Sequence, residues 1–199
     1  DARTLERGLG RQGKEECWLV VGAAQGARLG IGFREALDVP AMRAAAVDGS
    51  IEDLLVWHPV AVGDFFYIPA GTVHAIGAGV CVIEVQQNSD ITYRLYDYGR
   101  PRELHLDEGL GVAHRALPER GGAVLVDGPH FRLERIDGAQ DDLWRDRFAS
   151  GPVLVAPVVG GAVVDGEAVA PGQCAFAATV GAITANHDAL VLVAQPCLK

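Results

Sequence analysis

The stretch Gly63-Asp64-Phe65-Phe66-Tyr67-Ile68-Pro69-Ala70-Gly71-Thr72-Val73-His74-Ala75-Ile76 decides how the rest of the chain reads. Aromatic and β-branched residues run up to Pro69, Pro-Ala-Gly supplies turn chemistry, and alternation resumes through Val73, His74 and Ile76. That pattern predicts a strand, a tight turn and a second strand. One histidine is delivered just past the turn. In a barrel whose inward positions alternate with outward ones, His74 can point into the lumen, where a neutral imidazole is a good ligand for a divalent metal. A histidine on a half-apolar strand also serves as a hydrogen-bonded core residue, and spacing alone leaves both readings open.

Upstream of this stretch, Cys17 to Gly22 and Ala27 to Phe33 form two apolar runs separated by a short Ala-Ala-Gln-Gly break, a hairpin signal. Val39 to Val47 is alanine-rich with Pro40 near its start and predicts a short helix. A helical turn is expected at Ile51 to Leu54, then a strand from Leu55 to Val60. Downstream, Val80 to Gln87 and Ile91 to Tyr98 read as strands divided by Asn88-Ser89-Asp90. If Gly77-Ala78-Gly79 and Asn88-Ser89-Asp90 are both three-residue hairpin loops, His74 lies opposite Val82 and Glu84 opposite Arg94. One face then carries His74, Glu84 and Arg94.

From Pro101 to about His114 the pattern is polar and then helical. Beyond it, expected strands at Phe131–Ile136, Trp144–Phe148, Val153–Val159, Ala162–Asp165, Cys174–Ala178 and Ala189–Gln195 are spaced by Gly, Pro and Asp turns. Such spacing argues for a second β-sandwich or jelly roll. His130 and His187 lie there without clustered ligands. The fold expected is all-β, two β domains with a few short helices, divided as 1–117 and 118–199.

Composition narrows the function classes. The 199 residues are 49% hydrophobic, ample for a core, and the formal charge of −9 without a basic stripe argues against a nucleic-acid surface. Apolar runs are strand-sized, so no segment is expected to span a membrane. The charged start Asp1-Ala2-Arg3-Thr4-Leu5-Glu6-Arg7 has no signal-peptide character. Cys17, Cys81, Cys174 and Cys197 form no C-x-x-C pair, and three of the four sit in apolar runs, so buried thiols in a reducing, cytoplasmic compartment are expected. Fifteen arginines stand against two lysines, Lys14 and Lys199. In a chain so inclined to guanidinium, Lys14 before an apolar strand points to a compact, titratable ammonium.

The run GDFFYIPAGTVHAI followed by VIEVQQNSDITYRLYDYGR resembles the type I mannose-6-phosphate isomerases, metal-dependent cupins, and above all their short bacterial branch. The first half of the chain carries the likeness well and the second half in outline. The resemblance implies cupin-like jelly-roll barrels and interconversion of mannose 6-phosphate and fructose 6-phosphate. It further implies that Glu16, in Lys14-Glu15-Glu16-Cys17-Trp18, and His74 are metal ligands, an oxygen and a nitrogen that suit zinc and leave manganese or iron open. Lys14, Glu84 and Arg94 match active-site positions, Lys14 and Arg94 also as anchors for the substrate phosphate. Tyr93, Tyr96 and Tyr98 read as packing or rim residues.

In the resembled family a Gln-x-His-Pro segment supplies two further ligands just upstream of the region matching Asp1-Ala2-Arg3. That segment does not occur between Asp1 and Lys199, so this chain is expected to be metal-poor and inactive as it stands. An inactive sugar-binding or regulatory cupin is the alternative expectation. A cupin oxygenase is disfavoured, since no His-x-His occurs and His58 could serve only if its strand faces the same lumen. A sugar phosphate is the expected partner, and a monomer or homodimer the expected state.

Overall fold

The computed structural model describes residues 5, 6, 8, 13–110, 123–139 and 142–197. By its internal contacts the chain divides into two compact units, Asp1–Arg120 and Gly121–Lys199. The boundary expected at residue 117 lies outside the described residues, as does most of the N-terminal loop. Strands dominate both units, and the helices are short. Among the described residues no helix is long and apolar enough to cross a membrane.

The first unit contains β1 (Glu16–Ala23), β2 (Arg28–Phe33), β3 (Leu55–Pro59), β4 (Phe65–Ile68), β5 (His74–Ile76) and β6 (Val80–Gln86). They form two three-stranded antiparallel sheets, ordered β4-β1-β6 and β3-β2-β5. The expected hairpin between β1 and β2 does not form. Both edges of β1 are already taken, by β4 through Trp18 opposite Phe66 and by β6 through Trp18 opposite Glu84. The chain therefore turns a corner at Ala24, whose carbonyl accepts from the Ala27 N–H at 3.0 Å, and enters the other sheet. The sheets face each other across one cluster, in which Trp18, Val20, Phe66 and Ile68 of the first meet Leu29 and Ile31 of the second. Burying these side chains stabilises the pair by about 1.5–3 kcal/mol each.

The stretch from Phe65 to Ile76 crosses between the sheets in the same way. It turns at Pro69-Ala70-Gly71-Thr72, where the Thr72 N–H donates to the Pro69 carbonyl at 3.1 Å and Gly71 sits at φ 85°. That left-handed third position is the one a type II turn reserves for glycine. β4 thus belongs to one sheet and β5 to the other.

Helices cover the outer face of the β3-β2-β5 sheet. α1 (Val39–Asp48) starts at Asp38, whose carboxylate accepts the Ala41 N–H at 2.8 Å, and ends at left-handed Gly49. Its Met42, Ala45 and Ala46, spaced i, i+3 and i+4, pack with Phe33, Leu55, Leu95 and Leu110. α2 (Ile51–Leu54) adds Ile51 to this cluster, and α3 (Leu106–Leu110) adds Leu110.

The segment expected as a strand at 91–98 forms none. Its alternation serves a folded-back loop. The Arg94 N–H donates to His105 Nδ1 at 3.1 Å, the His105 N–H donates to the Arg94 carbonyl at 2.8 Å, and Tyr98 takes a left-handed φ of 53°. Asp97, buried, accepts hydrogen bonds from Arg102 and pairs with Arg100. With its backbone groups bonded across the loop, the segment has no ladder to offer β6.

The second unit holds a five-stranded sheet ordered β12-β9-β14-β8-β7 and a three-stranded one ordered β11-β10-β13. Its strands are β7 (Val124–Asp127), β8 (Phe131–Asp137), β9 (Val153–Val159), β10 (Ala162–Val164), β11 (Glu167–Val169), β12 (Ala175–Ala177), β13 (Ile183–Ala185) and β14 (Leu190–Pro196). Val153, Val155, Val191 and Val193 of the larger sheet meet Ala162, Val164, Val169 and Ile183 of the smaller. Asp142–Arg147 forms a 3-10 helix where a strand was expected at Trp144 to Phe148. The Trp144 ring of this helix and the Phe148 ring just after it meet edge to face at 5.9 Å and plug the same core, whereas in a strand the two would stand about 13 Å apart.

Of the four cysteines, all free, Cys17 is buried while Cys81, Cys174 and Cys197 are exposed, which corrects the expectation of three buried thiols. Cys81 and Cys174 sit at alternating or terminal positions whose side chains leave the core. Burial, with a smaller opposing effect of the Val85 carbonyl, pushes the Cys17 thiol up to about 12. Cys17 is therefore an inert packing group at neutral pH.

Candidate active site

A cavity of about 290 Å³ opens in the first unit. Lys14, Glu16, Ile68, Thr72, His74, Tyr93 and Arg94 are among its walls. The fold brings them there from separate elements. Alternation along β1 turns Glu16 to the same face as Trp18 and Val20, so it reaches the space between the sheets and keeps only 1% of its surface exposed. The turn at Pro69–Thr72 delivers His74 opposite Ile31 on β2, and its ring meets Trp18 edge-on at 5.1 Å. The folded-back loop carries Tyr93 and Arg94 to the same cavity.

The polar contacts at the bottom are close. Lys14 Nζ donates to Glu16 Oε2 and, at 3.1 Å, to Glu84 Oε1. Burial draws the Lys14 ammonium down, but the Glu16 hydrogen bond and the charges of Glu16 and Glu84 outweigh it, and its pKa lies above the ordinary lysine value. Lys14 is held charged at neutral pH, against the titratable ammonium expected from composition. It joins the two carboxylates.

His74 Nδ1 lies 2.9 Å from the Thr72 carbonyl. A carbonyl can only accept, so Nδ1 carries the proton. In the neutral ring Nε2 then presents a lone pair to Glu16 Oε1, 3.1 Å away, and that oxygen has no hydrogen-bond donor. Two acceptors facing each other in a buried site are relieved by a second proton on the ring or by a cation that both hold. Their separation is near the roughly 3.4 Å that follows for two ligands about 2.1 Å from a tetrahedral ion. An imidazole nitrogen and a carboxylate oxygen are donors that suit zinc, so both fit as part of a ligand set. Among the described residues no group of three or more His, Cys, Asp or Glu side chains is placed to hold a metal.

The expected hairpin parity does not hold. His74 pairs across to Ile31 and Glu84 to Trp18, so they stand in different sheets, and Arg94 is on no strand. Lys14 is what ties Glu84 to the site; Glu84 is not among the cavity walls. Arg94 lines the cavity, and its Nη1 donates to the Glu103 carbonyl at 3.1 Å. His58 does face the space between the sheets, opposite Leu29 with its ring 6.1 Å from that of Phe66, yet it does not line the cavity.

Sequence reasoning missed Thr72, whose backbone carbonyl sets the His74 tautomer, and His105, which clasps the Arg94 backbone. A type II turn ending two residues before a histidine was a readable signal for the first. Nothing local announces the second, since the clasp spans eleven residues.

No protein-family model matches the chain. A mannose-6-phosphate isomerase of Streptococcus mutans is 44% identical over 141 residues, covering 62% of this chain and 44% of that protein. One from Bacillus subtilis is 42% identical over 118 residues, covering 56% and 37%. The match spans less than half the length of either curated relative. The crystal structure of a Bacillus subtilis mannose 6-phosphate isomerase superposes with a TM-score of 0.76 at 24% identity, covering 98% of this chain and 68% of that one. A variant phosphomannose isomerase of Salmonella typhimurium gives 0.61 at 15% identity over 99% of this chain and 72% of its own. At such identities these two structures speak for the fold. Sequence likeness in the curated relatives and architecture in the solved ones agree: over the matched stretch the chain is similar to mannose-6-phosphate isomerases, and it shares the fold of the solved ones.

Proposed function

We propose that the parent protein interconverts mannose 6-phosphate and fructose 6-phosphate at the cavity between Glu16, His74 and Arg94. The observation that carries the reading is the facing pair Glu16 Oε1 and His74 Nε2, 3.1 Å apart on the cavity wall with the cations Lys14 and Arg94. The two sheets of the first unit read in this light as the halves of a cupin jelly roll. Free thiols and a phosphorylated sugar suit a cytoplasmic setting.

The reaction moves a proton from C2 to C1. As it leaves C2, the electron pair flows to the C1 carbonyl and negative charge gathers on its oxygen, giving an enediol-like species. Returning the proton to C1 while the O2 proton passes to O1 yields the ketose. Zinc held by Glu16 and His74 would supply Lewis acidity for the developing charge. Lys14 orients Glu16 through its hydrogen bond, and its fixed charge favours an anionic ligand nearby. Arg94, anchored by the Glu103 carbonyl, offers its remaining N–H donors to the phosphate or to the oxygen that becomes anionic. Glu84, joined to the site through Lys14, is the proposed proton carrier.

The test is a coupled isomerase assay with and without added zinc, on this chain and on one extended upstream. Zinc-dependent turnover in either supports the reading. Heat stabilisation by mannose 6-phosphate without turnover in both would establish a sugar-binding cupin instead.

A further inference from the structure

Two hydroxyls on the cavity wall are not used by the chemistry above. Thr72 is 5% exposed, and its Oγ1 has no hydrogen-bond partner among the described residues. The same is true of Tyr93 Oη, whose atom is fully shielded from solvent. Both residues line the cavity that holds Glu16, His74 and Arg94. A buried hydroxyl without a partner is destabilising by roughly 1–3 kcal/mol, and one on a cavity wall is placed where a ligand can meet it.

Both groups are fixed in place. Thr72 closes the type II turn, and its carbonyl is bonded to His74, so its backbone cannot swing away. The Tyr93 ring stacks at a tilt on His105, 6.2 Å between centroids. Behind it, Gly109 leaves no room for a larger residue, because a Cβ there would come within 2.6 Å of Leu95 and 3.2 Å of the Tyr93 Cβ. Each hydroxyl is both donor and acceptor, the complement of a sugar hydroxyl.

We infer that Tyr93 Oη and Thr72 Oγ1 form a polyol-reading subsite of this cavity, one that hydrogen-bonds the carbon-chain hydroxyls of the ligand and sets which sugars are accepted. The inference rests on the sugar-phosphate reading of the site and adds how the sugar itself is told from other phosphorylated molecules. A site built around buried hydroxyls rejects a ligand lacking the matching group, because its own polar atoms then stay unpaired. Phosphate and reacting carbons are handled by the cations and by the Glu16–His74 pair. The hydroxyls read what lies between.

The experiment uses Tyr93→Phe and Thr72→Val, which delete the hydroxyls at nearly constant shape and leave the Thr72 carbonyl on His74. Without ligand, both variants should unfold at the same temperature as the parent or higher, since an unpartnered group is removed; a marked drop would show that the hydroxyls are structural and overturn the inference. With zinc present, binding of mannose 6-phosphate and of its 2-, 3- and 4-deoxy analogues is measured by calorimetry. The parent chain should bind at least one deoxy analogue about tenfold more weakly than mannose 6-phosphate. A variant should lose about tenfold on mannose 6-phosphate and nothing further on that analogue. Variants that bind and discriminate as the parent does would overturn the subsite. Binding with this pattern but without turnover would sink the isomerase reading while leaving the subsite standing, and no binding of any sugar phosphate would remove both.

Discussion

The two units of the chain treat buried polarity in opposite ways. In the second, Glu134 is fully buried, yet Arg132 reaches its Oε1 at 2.8 Å through Nε and Arg147 reaches its Oε2 at 2.9 and 2.7 Å. Gln195 accepts the Ala149 N–H and donates to the Ala149 carbonyl, each at 2.9 Å. In the first unit, Glu16 Oε1, Thr72 Oγ1, Tyr93 Oη, Trp18 Nε1 and His58 Nε2 are buried without hydrogen-bond partners, and every such atom among the described residues is in that unit. Three of the five belong to cavity-lining residues. Satisfied polarity is what any folded interior requires. The unsatisfied atoms gather in the unit that carries the cavity, three of them on its wall.

The comparison breaks most visibly at Glu134. Replacing it by Ala takes away the carboxylate that Arg132 and Arg147 share and leaves a buried gap, and the second unit should lose about 3–5 kcal/mol, the usual effect of breaking a buried charge network. Urea titration followed by tryptophan fluorescence checks this through Trp144. By contrast, Glu16→Gln removes a facing acceptor, and its effect on stability without metal should be much smaller. Equal losses at Glu134 and Glu16 would erase the distinction between the units.

Arg94→Ala tests whether the first unit's polarity is spent on a reaction. In an active parent, turnover should fall by about 10²–10³, with KM changing by less, if the guanidinium acts mainly on charge that develops in the transition state. A raised KM at unchanged kcat would make Arg94 a ground-state phosphate anchor.

How much of this was legible in the residues divides along the same line. Strand-forming runs such as Phe65 to Ile68, the capped helix from Val39 and the turn at Gly71 were readable because their signals are local. Glu16 and His74 were singled out by motif, and the fold sets them 3.1 Å apart. What could not be read was which strand pairs with which. Both β1 and β2 are apolar enough to lie in the middle of a sheet, and a hairpin and a sheet-to-sheet corner use the same Ala-Gln-Gly residues. The loop at 91–98 was lost for a related reason: alternation of Tyr93, Leu95 and Asp97 with exposed neighbours looks like a strand when the bonds that fold it back come from His105. The second unit's short strands Glu167–Val169 and Ile183–Ala185 are three residues each, too brief for periodicity to show.

A pH experiment sharpens the comparison at the cavity rim, where Glu52 and Tyr98 stand together. The hydrogen bond to Glu52, with burial and the Glu52 charge adding to it, pushes the Tyr98 phenol up to about 12. The folded state holds that proton more tightly than the unfolded one. Its stabilisation is therefore complete below the ordinary phenol value of about 10 and is lost as pH rises toward 12. Asp97 behaves oppositely: the Arg102 hydrogen bond, with the charges of Arg100, Arg102 and Arg94, holds its carboxyl below the usual range against the effect of burial. Its contribution is present above about pH 4 and lost on acidification. Neither group should bend an activity profile between pH 5 and 9. Absorbance titration at 295 nm should show one late-ionising tyrosine whose curve moves toward 10 in Glu52→Gln; an unchanged curve would remove Glu52 as the cause.

The smallest expected effect separates polar atoms kept for a ligand from those the fold merely tolerates. His58 has an unpartnered, shielded Nε2 and packs on Phe66, but lies off the cavity. If all unsatisfied polarity in the first unit served the site, changing His58 would impair function. Its position argues otherwise. His58→Leu replaces a desolvated imidazole by an apolar side chain among Leu29 and Phe66, so stability should stay the same or rise by up to about 1 kcal/mol, and affinity for mannose 6-phosphate should not change. Denaturant midpoints and calorimetry on the same preparation read both. A loss of zinc or sugar affinity in His58→Leu would place this histidine in the site after all, and cavity lining would no longer tell functional orphans from structural ones.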